Sequence, residues 1–200
     1  KATGLFDEVM VVTDSEIIAS EINDHGGRAI RSIREHESGS DRIAEAIRDI
    51  EADVVLNVQG DEPFVHKETL RLLLNAFEDE NVKVASVMKK FTDISLVSNP
   101  NYVKVVVDKN MDALYFSRSV IPFARDPHFT PTYYEHIGVY AFRKQTLLDF
   151  TQWPATEMEK AEKLEQLRYM ENGIRLRMIV TEHASAKIDV PEDLAAAEEF

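Results

Sequence analysis

Asp61 and Glu62 are the residues of this chain best placed to do chemistry. They follow Val54-Val55-Leu56-Asn57-Val58-Gln59-Gly60, an apolar run that stops at a glycine, and they precede Pro63. Val54, Val55, Leu56 and Val58 are nearly continuous rather than alternating, which suits a strand covered on both faces, as in a parallel sheet. Open α/β sheets bind ligands beyond the carboxyl ends of their strands, so carboxylates at this point could hold the metal of a metal–nucleotide complex. Gly-Asp-Glu-Pro is also good turn chemistry, and a plain solvated turn is the alternative.

The choice of metal narrows by exclusion. With no cysteine there is no disulfide, no thiolate metal site and no cysteine nucleophile. The histidines, at 25, 36, 66, 128, 136 and 183, lack zinc-ligand spacing. Acidic oxygens are then the expected ligands, and oxygen-only ligation favours magnesium. The chain has no Gly-x-Gly-x-x-Gly, no Walker phosphate loop and no Gly-x-Ser-x-Gly, which argues against a dinucleotide enzyme, a P-loop NTPase and an α/β-hydrolase. A formal charge of −13 opposes nonspecific binding to nucleic acid or anionic membrane. No apolar run approaches membrane-spanning length and nothing at the start reads as a signal peptide, so the expected location is the cytoplasm.

The elements that must position these groups alternate along the first half. At 200 residues and 44% hydrophobic, the chain suffices for one well-buried domain, with or without a small subdomain. Glu8 to Thr13 reads as a strand, followed by a helix through Ile17, Ile18 and Ile22 that Asp14 could cap and Gly26-Gly27 would end. Arg28 to Ile33 is a weaker strand. Ser40 is the expected cap of a helix with Ile43, Ala44 and Ile47 on one face. After the strand ending at Gln59 come a helix through Leu70, Leu73, Leu74 and Phe77 and a strand at Val82 to Val87. This order implies a mostly parallel sheet. The second half changes character: Tyr102 to Val107 and Ala113 to Phe116 flank Asp108-Lys109-Asn110-Met111-Asp112, a hairpin signature. A proline-punctuated aromatic loop follows, then a strand near Ile137 to Phe142. Met158 to Asn172 reads as one long helix closed by Gly173, Ile174 to Val180 as a strand, and Pro191 as the opening of a last helix.

Further segments carry polar groups in a specific order. They are His36-Glu37-Ser38-Gly39-Ser40-Asp41-Arg42, Tyr115-Phe116-Ser117-Arg118-Ser119-Val120-Ile121-Pro122, His136-Ile137-Gly138-Val139-Tyr140, Glu162-Lys163-Leu164-Glu165-Gln166-Leu167-Arg168 and Ile188-Asp189-Val190-Pro191-Glu192-Asp193-Leu194. Taken with the acidic turn, their identity, order and spacing resemble the 3-deoxy-manno-octulosonate (Kdo) cytidylyltransferases over essentially the whole chain. The resemblance implies a nucleotide-diphosphosugar-transferase-like α/β fold, with a mostly parallel, Rossmann-like sheet and a small antiparallel dimerisation subdomain. It also implies a homodimer, Mg2+ as cofactor, and the reaction of CTP with Kdo to give CMP-Kdo and pyrophosphate for lipopolysaccharide biosynthesis. Residues 1–200 would form a single cytidylyltransferase domain, with 112–142 as its dimerisation region. The family begins with a strand and a basic loop, Ile-Pro-Ala-Arg-x-x-Ser-x-Arg-Leu-Pro-Gly-Lys, that grips the triphosphate. This chain starts downstream of that loop at Lys1, and around Asp189 it reads Ala186-Lys187-Ile188-Asp189-Val190-Pro191 where the family more often has Gly-Val-Asp-Thr-Pro.

Site residues follow from the resemblance. Asp61 and Asp189 would hold magnesium, each just past a strand, and together with Arg118 would form the catalytic set. Ser38, Gly39, Arg42 and Gln59 would contact the nucleotide. Arg118 would clamp the sugar carboxylate, while His136, Tyr140, Glu165 and Gln166 would hydrogen-bond its hydroxyls. Each has an ordinary structural alternative: Asp189 as a helix cap, Ser38 to Arg42 as helix initiation with Arg42 paired to a surface acid, His136 and Tyr140 as core residues, and Glu165 on a solvated helix face. Within the same chemistry, the sugar could be another 2-keto acid such as 8-amino-Kdo or a sialic acid. A non-catalytic nucleotide-binding remnant is the alternative of a different class.

Overall fold

A computed structural model describes residues 3–33, 36, 39–60, 62 and 65–183 of the chain. In order, the elements are β1 (Val11–Thr13), α1 (Glu16–Asp24), β2 (Ala29–Arg31), α2 (Gly39–Ala46), β3 (Val54–Val58), α3 (Lys67–Asn75), β4 (Val84–Lys90), β5 (Lys104–Val107), β6 (Ala113–Ser117), β7 (Tyr134–Arg143), α4 (Lys144–Phe150), α5 (Glu157–Glu162), α6 (Gln166–Glu171) and β8 (Leu176–Val180). The α/β architecture and the 104–117 hairpin are as expected, but the main sheet is mixed rather than mostly parallel. β1 and β2 form a separate parallel pair, and β4 and β8 are parallel neighbours. The reason for the mixture is β7, which returns antiparallel between its neighbours. On one edge it pairs with β4 from Tyr134 to Phe142, passing over Gly138 and Val139. The other edge is shared, by β3 against Val139–Arg143 and by β5 against Tyr134 and Glu135.

Both faces of this sheet are covered, as the apolar run in β3 requires. On one face Val55, Val84, Met88, Phe142 and Met178 pack with Ala44 and Ile47 from the α2 region, Leu147 and Phe150 of α4 and Leu167 and Tyr169 of α6. On the other, Ala85, Val87, Val139 and Ala141 pack beneath Leu70 and Leu73 of α3 and Phe77. Alternation along β4 sends Val84, Ser86 and Met88 to the first face and Ala85 and Val87 to the second. No described helix is long and apolar enough to cross a membrane.

Three local expectations are corrected. Ser15 rather than Asp14 caps α1, its hydroxyl accepting from the Ile18 N–H, while Asp14 turns to Arg42. Helical geometry already begins at Gly39, so Ser40 lies inside α2 and is buried instead of capping it. The stretch from Met158 to Asn172 is not one helix. Lys163 takes a left-handed conformation (φ 55°, ψ 50°) that ends α5, and its N–H donates to the Glu159 carbonyl at 2.7 Å. The carbonyls freed by the break are met from outside: Arg118 donates to Glu162 O at 2.8 Å and to Lys163 O at 3.5 Å. Gly173, at φ +75°, follows α6 as expected. The helix expected from Pro191 lies outside the described residues.

Candidate active site

β3 and β4 both run antiparallel to β7, and β8 runs parallel to β4, so the carboxyl ends of β3, β4 and β8 share one edge of the sheet. Asp61, Ser38 and Asp189 lie outside the described residues, but the chain around two of them is placed. Beyond β3 the Glu62 N–H donates to Gln59 O at 3.0 Å, closing the expected turn, and Glu62 itself is buried. The segment entering α3 then meets the segment leaving β8: the rings of His66 and His183 stack with centroids 3.6 Å apart, and the Thr69 and Thr181 hydroxyls are 2.8 Å apart. Among the described residues no cluster of three or more His, Asp or Glu forms a ready metal site.

A polar row crosses the sheet near this edge. Asn57 of β3 and Ser86 of β4 both pair with Tyr140 of β7, and both are buried. Next to the Ser86–Tyr140 pair the β4–β7 register jumps, because Val87 pairs with Ile137. The jump leaves His136 beside Tyr140, ring centroids 5.3 Å apart, with Phe116 edge-on to His136 at 5.0 Å. His136 Nε2 lies 2.8 Å from Ser86 Oγ, and its Nδ1 lies 3.4 Å from Gln166 Nε2. Although His136 keeps some exposed surface, desolvation of its ring lowers its pKa from 6.5 to about 3, so the imidazole is neutral. Desolvation, with a smaller contribution from the Glu165 charge, pushes the Tyr140 phenol well above its ordinary range. Gln59 continues β3 opposite Gly138, close enough that a Cβ on Gly138 would lie 3.9 Å from its amide carbon.

The break between α5 and α6 is what turns Gln166 inward. Gln166 is the first residue of α6 and is buried, while Glu165 is the residue before it and half-buried. The break is fixed by Arg168, whose Nε donates to Glu159 Oε2 at 2.7 Å and whose guanidinium lies 4.2 Å from the centre of the Phe150 ring. Arg168, quoted above as part of a motif, thus packs the scaffold behind Glu165 and Gln166.

Arg118 holds the same region from the other side. Besides its two carbonyl contacts to α5 it donates to Pro100 O at 3.0 Å, and its own N–H donates to Glu162 Oε2 at 2.9 Å. Its carbonyl accepts from Lys104, a fully buried side chain whose ammonium also donates to Asn99 O at 3.1 Å and Tyr102 O at 2.6 Å. Desolvation lowers the Lys104 pKa.

On the side expected to hold the nucleotide, Gly39 opens α2 with space where a side chain would stand, and Arg42 pairs with Asp14 at 2.9 Å just past β1. The Asp41 charge, at the start of α2, is felt by Arg168 and Tyr169 of α6, the helix carrying Gln166. The geometry therefore brings together Gln59, His136, Tyr140, Glu165 and Gln166. Arg118 stands at the break with its donors turned to carbonyls, and Arg42 stands at the end of β1. Sequence reading passed over Ser86, Asn57 and Tyr169. For the first two a signal existed: each is a polar residue inside an otherwise apolar, doubly covered strand, where a polar side chain must find a partner.

Comparison with known proteins bears on the family and the fold. Residues 1–179 match the family model described as cytidylyltransferase. The chain is 53% identical over 199 residues to the 3-deoxy-manno-octulosonate cytidylyltransferase of Flavobacterium johnsoniae, spanning 98% of this chain and 82% of that protein. It is 50% identical to the enzyme of the same name from Christiangramia forsetii, over 98% of this chain and 80% of that one. A solved structure of CMP:2-keto-3-deoxy-manno-octonic acid synthetase complexed with CTP superposes with a TM-score of 0.91 at 36% identity, covering 98% of this chain and 83% of that one.

Proposed function

The chain belongs to the cytidylyltransferase family, among the 3-deoxy-manno-octulosonate cytidylyltransferases, and from that premise we propose that it activates Kdo with CTP, giving CMP-Kdo and pyrophosphate. The observation that carries this reading is 53% identity to a 3-deoxy-manno-octulosonate cytidylyltransferase across 98% of the chain. A role in lipopolysaccharide biosynthesis follows from the sugar. In the reaction the anomeric hydroxyl of Kdo attacks the α-phosphorus of CTP in line, a P–O bond forms, and the bond to the pyrophosphate oxygen breaks. The protein's task is chiefly to position the reactants and offset charge.

The residues divide that task. Tyr140, Glu165, Gln166 and neutral His136 offer hydrogen bonds to the sugar hydroxyls. Arg118 takes the sugar carboxylate by exchanging its contact with the Pro100 carbonyl for the stronger charge-assisted pair. Ser38, Gly39, Arg42 and Gln59 serve the nucleotide. Magnesium, when bound, would be held by Asp61 and Asp189 and would polarise the phosphate oxygens. The shared sheet edge and the His66–His183 and Thr69–Thr181 contacts support their convergence, since they tie together the chain leaving β3 and the chain leaving β8.

We also propose that the protein is a homodimer acting in the cytoplasm, with residues 112–142 at the two-fold interface. Phe123 is 83% exposed and Phe129 63%, a density of bare aromatic surface that suits an interface. The whole activity is tested by following pyrophosphate release from the full-length protein with CTP and a panel of Kdo, 8-amino-Kdo and sialic acid. Turnover with Kdo is expected. Turnover only with another acid would move the assignment to that sugar, and CTP binding without turnover of any would point to a remnant.

A further inference from the structure

We infer that Ser86 is a positioning residue of the sugar subsite: it fixes which ring nitrogen of His136 carries the proton, and through His136 it sets which way the Gln166 amide faces. This inference rests on the reading that His136 and Gln166 contact the sugar.

The argument is a count of donors and acceptors. Ser86 is fully buried, and its hydroxyl has one proton to give. Within reach are the Val139 carbonyl at 2.9 Å, the Ile137 carbonyl at 3.4 Å and His136 Nε2 at 2.8 Å. The carbonyls can only accept, so the arrangement that pairs all these groups gives the hydroxyl proton to Val139 O and lets the hydroxyl oxygen accept from His136. Nε2 is therefore the protonated nitrogen. In a neutral imidazole Nδ1 is then a bare acceptor, and the atom facing it at 3.4 Å is the Gln166 amide nitrogen. With its NH2 committed to His136, Gln166 turns its carbonyl oxygen away from the ring, as an acceptor for a sugar hydroxyl.

The carbonyls are available because of the register jump between β4 and β7. Where Ser86 pairs with Tyr140 and Val87 with Ile137, the ladder passes over Gly138 and Val139, and the carbonyls of Ile137 and Val139 fall to the Ser86 side chain. An alanine would leave the Val139 carbonyl without this donor and the ring Nε2 without its acceptor. The ring could then move its proton to Nδ1, and the amide would have to flip to follow it.

Long-range 1H–15N NMR on the full-length protein labelled at histidine reads the tautomer directly, with His136→Gln assigning the resonances. A protonated Nε2 and a bare Nδ1 are expected in the unsubstituted protein without substrate; a protonated Nδ1 overturns the inference. In kinetics, Ser86→Ala should raise KM for Kdo by about tenfold while KM for CTP stays within about twofold, and Ser86→Thr, which keeps the hydroxyl, should restore it. If Ser86→Ala lowers thermal stability but leaves the Kdo KM unchanged, Ser86 serves the strand alone and the inference fails. A protein inactive with every acid sugar would overturn the proposed activity, while the tautomer would still decide the assignment made for Ser86.

Discussion

Replacing Glu159 with alanine should cost the protein about 4 kcal/mol. The carboxylate is buried and accepts two N–H groups from Arg168, one of them at 2.7 Å, and the Thr156 N–H at 3.1 Å in a capping box at the start of α5. Without it the Arg168 guanidinium keeps the Trp153 carbonyl at 3.3 Å, the face of Phe150 and the more distant charges of Asp41 and Glu165. Stranding one partner of a buried ion pair costs about 3–5 kcal/mol, and a lost cap about 1 kcal/mol. The two overlap, because a single carboxylate does both jobs. For a domain of this length each kcal/mol moves the melting temperature by roughly 2–4 °C, so a fall of about 8–16 °C is expected by circular dichroism. The combined change Glu159→Met with Arg168→Met removes both charges and should cost far less than the single change, within about 1 kcal/mol of the unsubstituted protein once the cap is allowed for. A single change costing under about 1 kcal/mol, or a double change as damaging as the single, would refute the assignment of this pair as the fixture of the α5–α6 break.

Asp61→Asn and Asp189→Asn should each lower turnover by orders of magnitude, and the double change should add little; near-normal activity of either single variant at saturating magnesium would remove that residue from the mechanism. His136 takes up a proton far more readily in the unfolded chain, at its ordinary 6.5, than in the folded one, at about 3. Its contribution to stability is therefore complete above 6.5 and is lost as pH falls toward 3, at no more than about 1.4 kcal/mol per pH unit. Urea unfolding at neutral and mildly acidic pH should show a decline that His136→Gln makes shallower, and equal slopes would count against it. Lys163→Gly should stabilise by about 0.5–1 kcal/mol, because glycine adopts the left-handed conformation without penalty, and a loss of stability would contradict this. Phe123→Glu with Phe129→Glu should yield a monomer by light scattering, whereas a monomer before substitution would dismiss the dimer.

What the sequence discloses is what depends on neighbours along the chain. The unbroken apolar run of β3 announces a strand buried on both faces, the polar turn from Asp108 to Asp112 announces the 104–117 hairpin, and Gly173 marks a helix end. Hidden from it are the features decided by distant partners. The helix break at Lys163 depends on Arg118 arriving from β6 to satisfy the freed carbonyls, and no local pattern interrupts the helical periodicity there. The mixed sheet depends on β7 returning between β3 and β4. Asp14 looks like a better cap than Ser15 until Arg42 claims it. For the site, His136, Tyr140, Glu165 and Gln166 stand out through their resemblance to a family, while Ser86 shows in the sequence only as a polar residue in an apolar strand, and its partners emerge once the register jump sets two carbonyls against it.

Lys104 has the form of a small metal centre whose ion is tethered to the backbone. Its ammonium is gripped by the carbonyls of Asn99, Tyr102 and Arg118, so three separate points of the chain are fastened to one cation. In a sequence without cysteine this fastener does what a cross-link would do, and neither a reductant nor a chelator can undo it. Alkali can. The lowered pKa brings closer the pH at which the ammonium gives up a proton, and the neutral amine then has fewer donors than it has carbonyls to hold.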